Sequence, residues 1–227
     1  MDFSHSRPSL RRSPWSYSKL QAAVAAVIRG RRAFVDWDSL RRKHYLDLGC
    51  GPNIHPCFIN LDYAWRPGIN LCWDITKGLP LADRSLAGIF SEHCLEHLSL
   101  ATTDGVLAEC WRVLQPGGTL RIVVPDGELY LMGYSSLMAG AAGRLPYADS
   151  DSYQGLYSPM LSVNRIFREH GHLFIYDYVT LAQLLERRGF IAIRREHFRS
   201  GYDQQLLIDS EHRAQESLYV EAQRPVS

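Results

Sequence analysis

The chain lacks a long apolar run. The longest uninterrupted one, Ala22 to Ile28, falls far short of the ~20 residues that span a bilayer as a helix, so no transmembrane helix is expected. No two of its five cysteines (Cys50, Cys57, Cys72, Cys94 and Cys110) are spaced CxxC. An odd count in a chain too long to need staples points to reduced thiols and a cytoplasmic location. A set of Cys50, His55, Cys57 and Cys72 fits no common zinc-finger spacing. No glycine-rich run leads into a Lys in the P-loop pattern. Net charge is also nearly absent, at +1, which excludes a protein basic throughout. With 46% hydrophobic and 11% aromatic residues, the 227 residues suffice for a core in one or at most two domains and do not suit wholesale disorder.

The small net charge hides an asymmetry. Residues 1–43 hold ten Lys/Arg and three Asp, a local +7, whereas the remainder holds fifteen Lys/Arg and twenty-one Asp/Glu, a local −6. This basic arm is either a solvated leader or a handle for an anionic partner such as membrane lipid, a polyanionic glycan or nucleic acid. Arg11-Arg12 before an apolar stretch hints at a twin-arginine export signal, but Arg29 ends the stretch and no small-residue cleavage site follows. Residues 1–15 read as a tail. Leu20, Val24, Val27 and Ile28 recur at helical spacing between Ser16 and Arg32, which predicts a basic amphipathic helix that lies on a membrane surface or packs across its own domain.

From residue 44 onward, strands alternate with helices or loops. Strands are expected at 44–48, 58–62, 69–73, 86–90 and 119–124, then closing strands at 190–194 and 218–222. Helices are expected at 100–114, before the Pro116-Gly117-Gly118 turn, and at 178–188. Residues 127–172 break this rhythm and read as an insert. Such alternation implies a doubly wound, mostly parallel α/β sheet with its site at the carboxyl ends of the strands. The domain division expected is 1–43 for tail and helix and 44–227 for the α/β domain.

Three features fall where that sheet would place a ligand. Asp47-x-Gly49-x-Gly51 ends the first strand, where glycines let the backbone approach a ligand closely. Asp62 ends the second, where a carboxylate can accept from both hydroxyls of a ribose. Asp74 ends the third. A nicotinamide dinucleotide fits poorly: its third fingerprint glycine is replaced by Ile54, and Asp62 follows Gly49 by only 13 residues where about 20 are usual. The loop suits a nucleoside without a pyrophosphate.

Leu46-Asp47-Leu48-Gly49-Cys50-Gly51 resembles the first motif of the class I S-adenosylmethionine-dependent methyltransferases. The stretch Asp74 to Leu98 is similar to that family's segment around the fourth strand, and Glu109 to Arg121 to its helix, Pro-Gly-Gly turn and fifth strand. The resemblance is strong over residues 44–126 and resumes at 176–190 and 217–222. It implies the seven-stranded sheet of the family with a C-terminal antiparallel hairpin, and S-adenosylmethionine as cofactor. It further implies Asp47, Gly49, Cys50 and Gly51 at the methionine end, Asp62 at the ribose, Asp74 and Ile75 at the adenine, and Ser91 with His93 facing the methyl group or its acceptor. The chain also departs from the family. The links after the first and second strands are too short for crossover helices, so one sheet face should be thin, with the N-terminal helix a candidate cover. Ala87 stands where the family usually has Asp.

His93-x-x-Glu96-His97 matches the inverted zinc-protease motif HxxEH. That motif needs one regular helix and a distant third ligand. Here it follows a strand directly and coincides with a methyltransferase segment, so it reads as a decoy, and no metal is expected.

Methyl transfer from a sulfonium is an in-line displacement in which the protein mainly aligns donor and acceptor. An alcohol or amine acceptor must also lose a proton, and His93 is the first candidate base, with His170 and His172 next. Acceptor recognition is expected in 127–172, where Tyr130, Tyr134, Tyr147, Tyr153 and Tyr157 suit a sugar or aromatic group and Arg165 and Arg168 an anionic one. The expected acceptor is a small molecule or glycan. A nucleic-acid acceptor held by the basic arm is the rival, although no Asn-Pro-Pro-Tyr-type motif follows the fourth strand. A non-catalytic cofactor-binding scaffold is the other alternative.

Overall fold

The computed structural model describes residues 18–149 and 155–226. Seven strands form one sheet: β1 (Tyr45–Leu48), β2 (Phe58–Asp62), β3 (Leu71–Cys72), β4 (Leu86–Glu92), β5 (Leu114–Pro125), β6 (Ile191–Glu196) and β7 (Ser217–Gln223). Their order is β3-β2-β1-β4-β5-β7-β6. The first five are parallel, and β7 runs antiparallel to both β5 and β6. This is the expected α/β architecture with its C-terminal antiparallel hairpin. The strand order reverses between β1 and β4, the place where open α/β sheets bind ligands.

Side chains alternate across the sheet, and the two faces are covered differently. Leu46, Leu48, Ile59, Leu61, Ile89, Ile122 and Val124 belong to the main core with helices α3 (Leu100–Val113) and α6 (Tyr178–Arg187). Ser99 caps α3 and Asp177 caps α6 through backbone N–H groups. Phe58, Phe90, Val123 and Tyr219 form a second cluster closed by Phe198, Leu206 and Ile208. A loop excursion between β6 and β7 thus covers the face left thin by the missing helices.

The links 49–57 and 63–70 contain no helix, as their length requires. Buried Asn60 supports the first: its Oδ1 accepts from His55 N–H, and its Nδ2 donates to the carbonyls of His55 and Phe58. The N-terminal segment does not cover the thin face. Helix α1 (Lys19–Ile28) carries a Ser18/Gln21 capping box and docks at the β3 edge. There Arg29 donates to the Tyr63 carbonyl at 2.6 Å and stacks on the Tyr63 ring, and Gly30 N–H donates to Cys72. Ala25 is the buried residue of α1, while Leu20 and Val27 are exposed. The short helix α2 (Trp37–Leu40) adds Leu40 and Trp37 to the core beside α3 and α6.

β5 begins at Leu114 and carries Pro116-Gly117-Gly118 inside the strand as a register shift against β4, not as a turn before it. The backbone pairing of Gly117 and Gly118 with Arg224 holds that irregularity in the sheet. β3 is shorter than expected, and the insert contains two helices: α4 (Gly127–Met138), capped by Asp126, and α5 (Pro159–Arg168), capped by Ser158. Tyr130, Leu145 and Ile166 form their core. Among the described residues no helix is long and apolar enough to cross a membrane. The tail, Arg11-Arg12 and Tyr153 lie outside the described residues.

Candidate active site

The first motif folds as a turn at the carboxyl end of β1. Gly49 and Gly51 have φ of 78° and 56°, values that L side chains adopt only at a cost. The two glycines serve different ends. A Cβ on Gly49 would lie 2.3 Å from Cys94 Sγ, so this glycine lets the loop pack on the segment after β4. A Cβ on Gly51 would meet nothing within 4 Å, which leaves its backbone open to a ligand.

Asp62 ends β2 beside that turn. Its Oδ2 accepts from Gly51 N–H at 2.8 Å and its Oδ1 from Ala64 N–H at 2.8 Å. Asp47 is buried and borders a small enclosed space of about 10 Å³ with Gly49, Cys50, Asn53 and Glu92 among its walls, room for about one water. Burial, then the nearby Glu92 and Asp62 charges, raise the Asp47 carboxyl well above the usual carboxylate range. Burial and the Asp47 and Asp62 charges likewise raise the Cys50 thiol. The Arg66 guanidinium partly offsets these carboxyls at Cys50.

Asp74 accepts from Thr76 N–H and Oγ1, capping the turn after β3, and Ile75 packs partly on the main core. Ser91 is buried and donates to the Leu48 carbonyl at 3.1 Å, tying β4 to β1. Ser91 thus supports the turn from beneath.

The histidines gather on the other side of this strand end. His93 follows β4 with φ of 48°, which breaks the chain into a 3-10 turn over Leu95–His97, so HxxEH is not on one helix. The His93 ring is buried. Ser217 Oγ, which itself donates to the Arg213 carbonyl, lies 2.9 Å from His93 Nε2, and His93 Nδ1 lies 3.4 Å from Glu96 Oε1. Burial holds His93 well below its usual pKa, with Arg213 and the other histidines adding to this. Both ring nitrogens of the first candidate base are therefore turned to protein groups. Leu173 and Phe174 N–H donate to the Glu96 carbonyl, docking the 170–174 segment there. His172 Nδ1 bonds the Ile166 carbonyl at 2.7 Å, and burial lowers its pKa to about 4. His170 stays on an exposed turn, its ring 5.7 Å from that of His172.

In the insert, Tyr130 is fully buried and donates to Glu216, which also pairs with Arg165 and Arg213. Tyr147 bonds the His212 carbonyl, and the Arg144 guanidinium lies over the Tyr157 ring. Tyr130 and Arg165 thus hold the insert to the β7 approach, while Arg168 and His172 line an open groove of about 530 Å³ with Met160, Val163, Asn164 and Phe167.

Residues 54–122, which span β2 through most of β5, match the methyltransferase domain family. That segment, 69 of the 227 residues, carries the methyltransferase match. The fold of the chain is similar to that of a SAM-dependent methyltransferase from Archaeoglobus fulgidus, at 17% identity and a TM-score of 0.51 over 90% of this chain and 94% of that one. A methyltransferase from Mesorhizobium loti (19% identity, TM-score 0.46, 83% and 97% covered) and a possible exported protein from Bordetella parapertussis (14%, 0.47, 91% and 67%) are more distant in shape. No curated protein matches the sequence. The family match begins after the glycine turn, so it does not bear on Asp47, Gly49 and Gly51. Glu96 is the residue that the sequence reading passed over. Its signal is the HxxEH pattern, which reads as a decoy because it follows a strand directly and coincides with a methyltransferase-like segment.

Proposed function

We propose that this chain is an S-adenosylmethionine-dependent methyltransferase acting on a small-molecule or glycan acceptor, with the cofactor at the β1 turn and the acceptor beneath the 127–172 insert. One observation carries the cofactor placement: Asp47, Asp62 and Glu92 surround a turn whose Gly51 backbone is open. S-adenosylmethionine, when bound, supplies an electrophilic methyl on a sulfonium, and it carries an ammonium group as well. A buried cluster of carboxylates is the complement of such a cationic nucleoside. Asp62 would hold the ribose while fixing the turn through Gly51, and alignment of the reacting groups is the main contribution left to the chain.

The groove along α5 supports a small acceptor, since its volume lies within the usual ~300–1,000 Å³ range of ligand sites. Arg168 there suits an anionic or hydroxylated group. A polyanion on the basic arm is favoured less, because Arg29 is stacked on Tyr63, Arg32 on Trp37, and Lys43 donates to the Phe58 carbonyl.

Calorimetric titration with S-adenosylmethionine, S-adenosylhomocysteine and NAD tests the cofactor placement. Binding of the two sulfur nucleosides but not NAD, weakened at least tenfold by Asp62→Ala, is the expected result. A folded, ligand-free protein that binds neither nucleoside would overturn it. For the acceptor, transfer of labelled methyl to nucleic acid and not to extracted small molecules or glycans would reverse the assignment.

A further inference from the structure

Glu96, His97 and His172 bring one carboxylate oxygen and two imidazole nitrogens within 4.8 Å of one another. His97 Nε2 lies 3.9 Å and His172 Nε2 4.0 Å from Glu96 Oε1. These distances are too long for hydrogen bonds, which need about 2.7–3.2 Å. They approach the ~3.4 Å edge of a tetrahedron built on metal bonds of roughly 2.1 Å. Both Glu96 oxygens are buried with no hydrogen-bond partner, an arrangement that is costly if nothing fills it.

The outer nitrogens explain which ring edges face inward. A carbonyl only accepts, so His172 Nδ1 donates to Ile166 and leaves Nε2 with its lone pair toward Glu96. The Gly171 backbone lies on the Nδ1 side of His97. Ser217 has its own proton on the Arg213 carbonyl, so it accepts from His93 Nε2 and leaves the lone pair of His93 Nδ1 facing Glu96 Oε1 as well. Ring nitrogens thus converge on one carboxyl whose pKa burial pushes up to about 8, so either a proton on Glu96 or a cation must lie between them. Imidazoles fixed through the far nitrogen to a carbonyl or hydroxyl are how proteins orient metal ligands.

We propose that Glu96, His97 and His172 bind a divalent first-row transition cation, zinc or a close equivalent, with His93 against the carboxylate from behind. Neutral imidazole and carboxylate donors suit such an ion. The side chain of His97 is 41% exposed and His172 lines the α5 groove, so the fourth position is open, as in sites where a metal meets substrate or water and unlike a closed structural site. The site shares the α5 groove with the proposed acceptor, but metal binding is tested without any acceptor.

Untagged protein, analysed for metal by plasma mass spectrometry and then stripped with EDTA, would be titrated with zinc against a chromophoric chelator and with cobalt by visible absorption. About one zinc per chain is expected, and cobalt should give d–d bands without a thiolate charge-transfer band. His97→Ala, at the most exposed ligand, and Glu96→Gln should each lose roughly tenfold or more in zinc affinity, whereas Cys57→Ser and His170→Ala should not. Failure of the folded wild type to bind zinc or cobalt would overturn the site. So would unchanged affinity in folded His97→Ala, or a thiolate band implicating Cys94.

Discussion

A carboxyl buried as Asp47 is, with Glu92 and Asp62 nearby, ionises with difficulty in the free protein. A cationic ligand favours the ionised form and lowers that pKa, so S-adenosylmethionine affinity should rise with pH until it passes the free-protein value, then level off. Calorimetry in two buffers of different ionisation enthalpy should detect proton release on binding. The linkage runs the other way for stability. Because the folded pKa lies above the unfolded one, the folded state binds the proton more tightly, and this favours folding at low pH and is lost as pH rises. Asp47→Asn should therefore raise the urea midpoint at neutral pH while weakening cofactor binding about 10–100-fold, the worth of a hydrogen bond to a charged group. Gly49→Ala should cost more than the ~1–2 kcal/mol of a left-handed alanine, because its methyl would run into Cys94. Gly51→Ala has only the backbone cost in the free protein, so its larger effect should appear in cofactor affinity.

At the scale of elements, the excursion from β6 to β7 does work that the chain has no helix to do. Arg121 on β5 is fully buried. It pairs with Asp209 at 2.5 Å and Glu221 at 2.8 Å and donates to the carbonyls of His197 and Ser200. Arg121→Met leaves two buried carboxylates without that partner and should cost about 3–5 kcal/mol, read as a fall in the urea midpoint. Hydrogen exchange should show the 197–210 segment losing protection first. At the opposite edge, Arg29→Ala removes the bond and stacking that dock α1 on Tyr63. Residues 19–28 should then exchange faster while β1, β4 and β5 keep their protection.

Across the whole molecule, Glu216 joins the insert to the sheet. It accepts from Tyr130, pairs with Arg165 and Arg213, and its carbonyl accepts from Asp126 N–H. Glu216→Ala should loosen α4 and α5 together without touching the β1 turn. The expected kinetic signature is a raised KM for the acceptor with little change in cofactor Kd, and equal loss of both would show that the insert and the cofactor turn are one unit. Tyr130 and Arg165, which the sequence offers as acceptor contacts, illustrate why composition misleads here. An aromatic hydroxyl and a guanidinium serve a buried network as well as they serve a ligand, and only the position of Glu216, 86 residues from Tyr130, decides between them.

The sequence by itself determined the architecture and the β1 turn, because those depend on local chemistry. Apolar strands punctuated by glycine, proline and terminal carboxylates specify β1, β2 and β4 and place Asp47, Gly49, Gly51 and Asp62 together. The short links after β1 and β2 exclude helices by length alone. Helix α4 has little one-sided apolar pattern, whereas α5 is strongly amphipathic and legible in the sequence; the two pack on each other through Tyr130 and Ile166. The PGG segment looked like a turn because a register shift inside a strand uses the same residues. Tertiary structure alone decided how the thin face is covered and what Glu96 meets. His172 lies 76 positions further along, and its approach depends on the turn after α5 docking its backbone on Glu96. Pairings of that kind are set by the packing of distant segments, which no spacing within HxxEH can express.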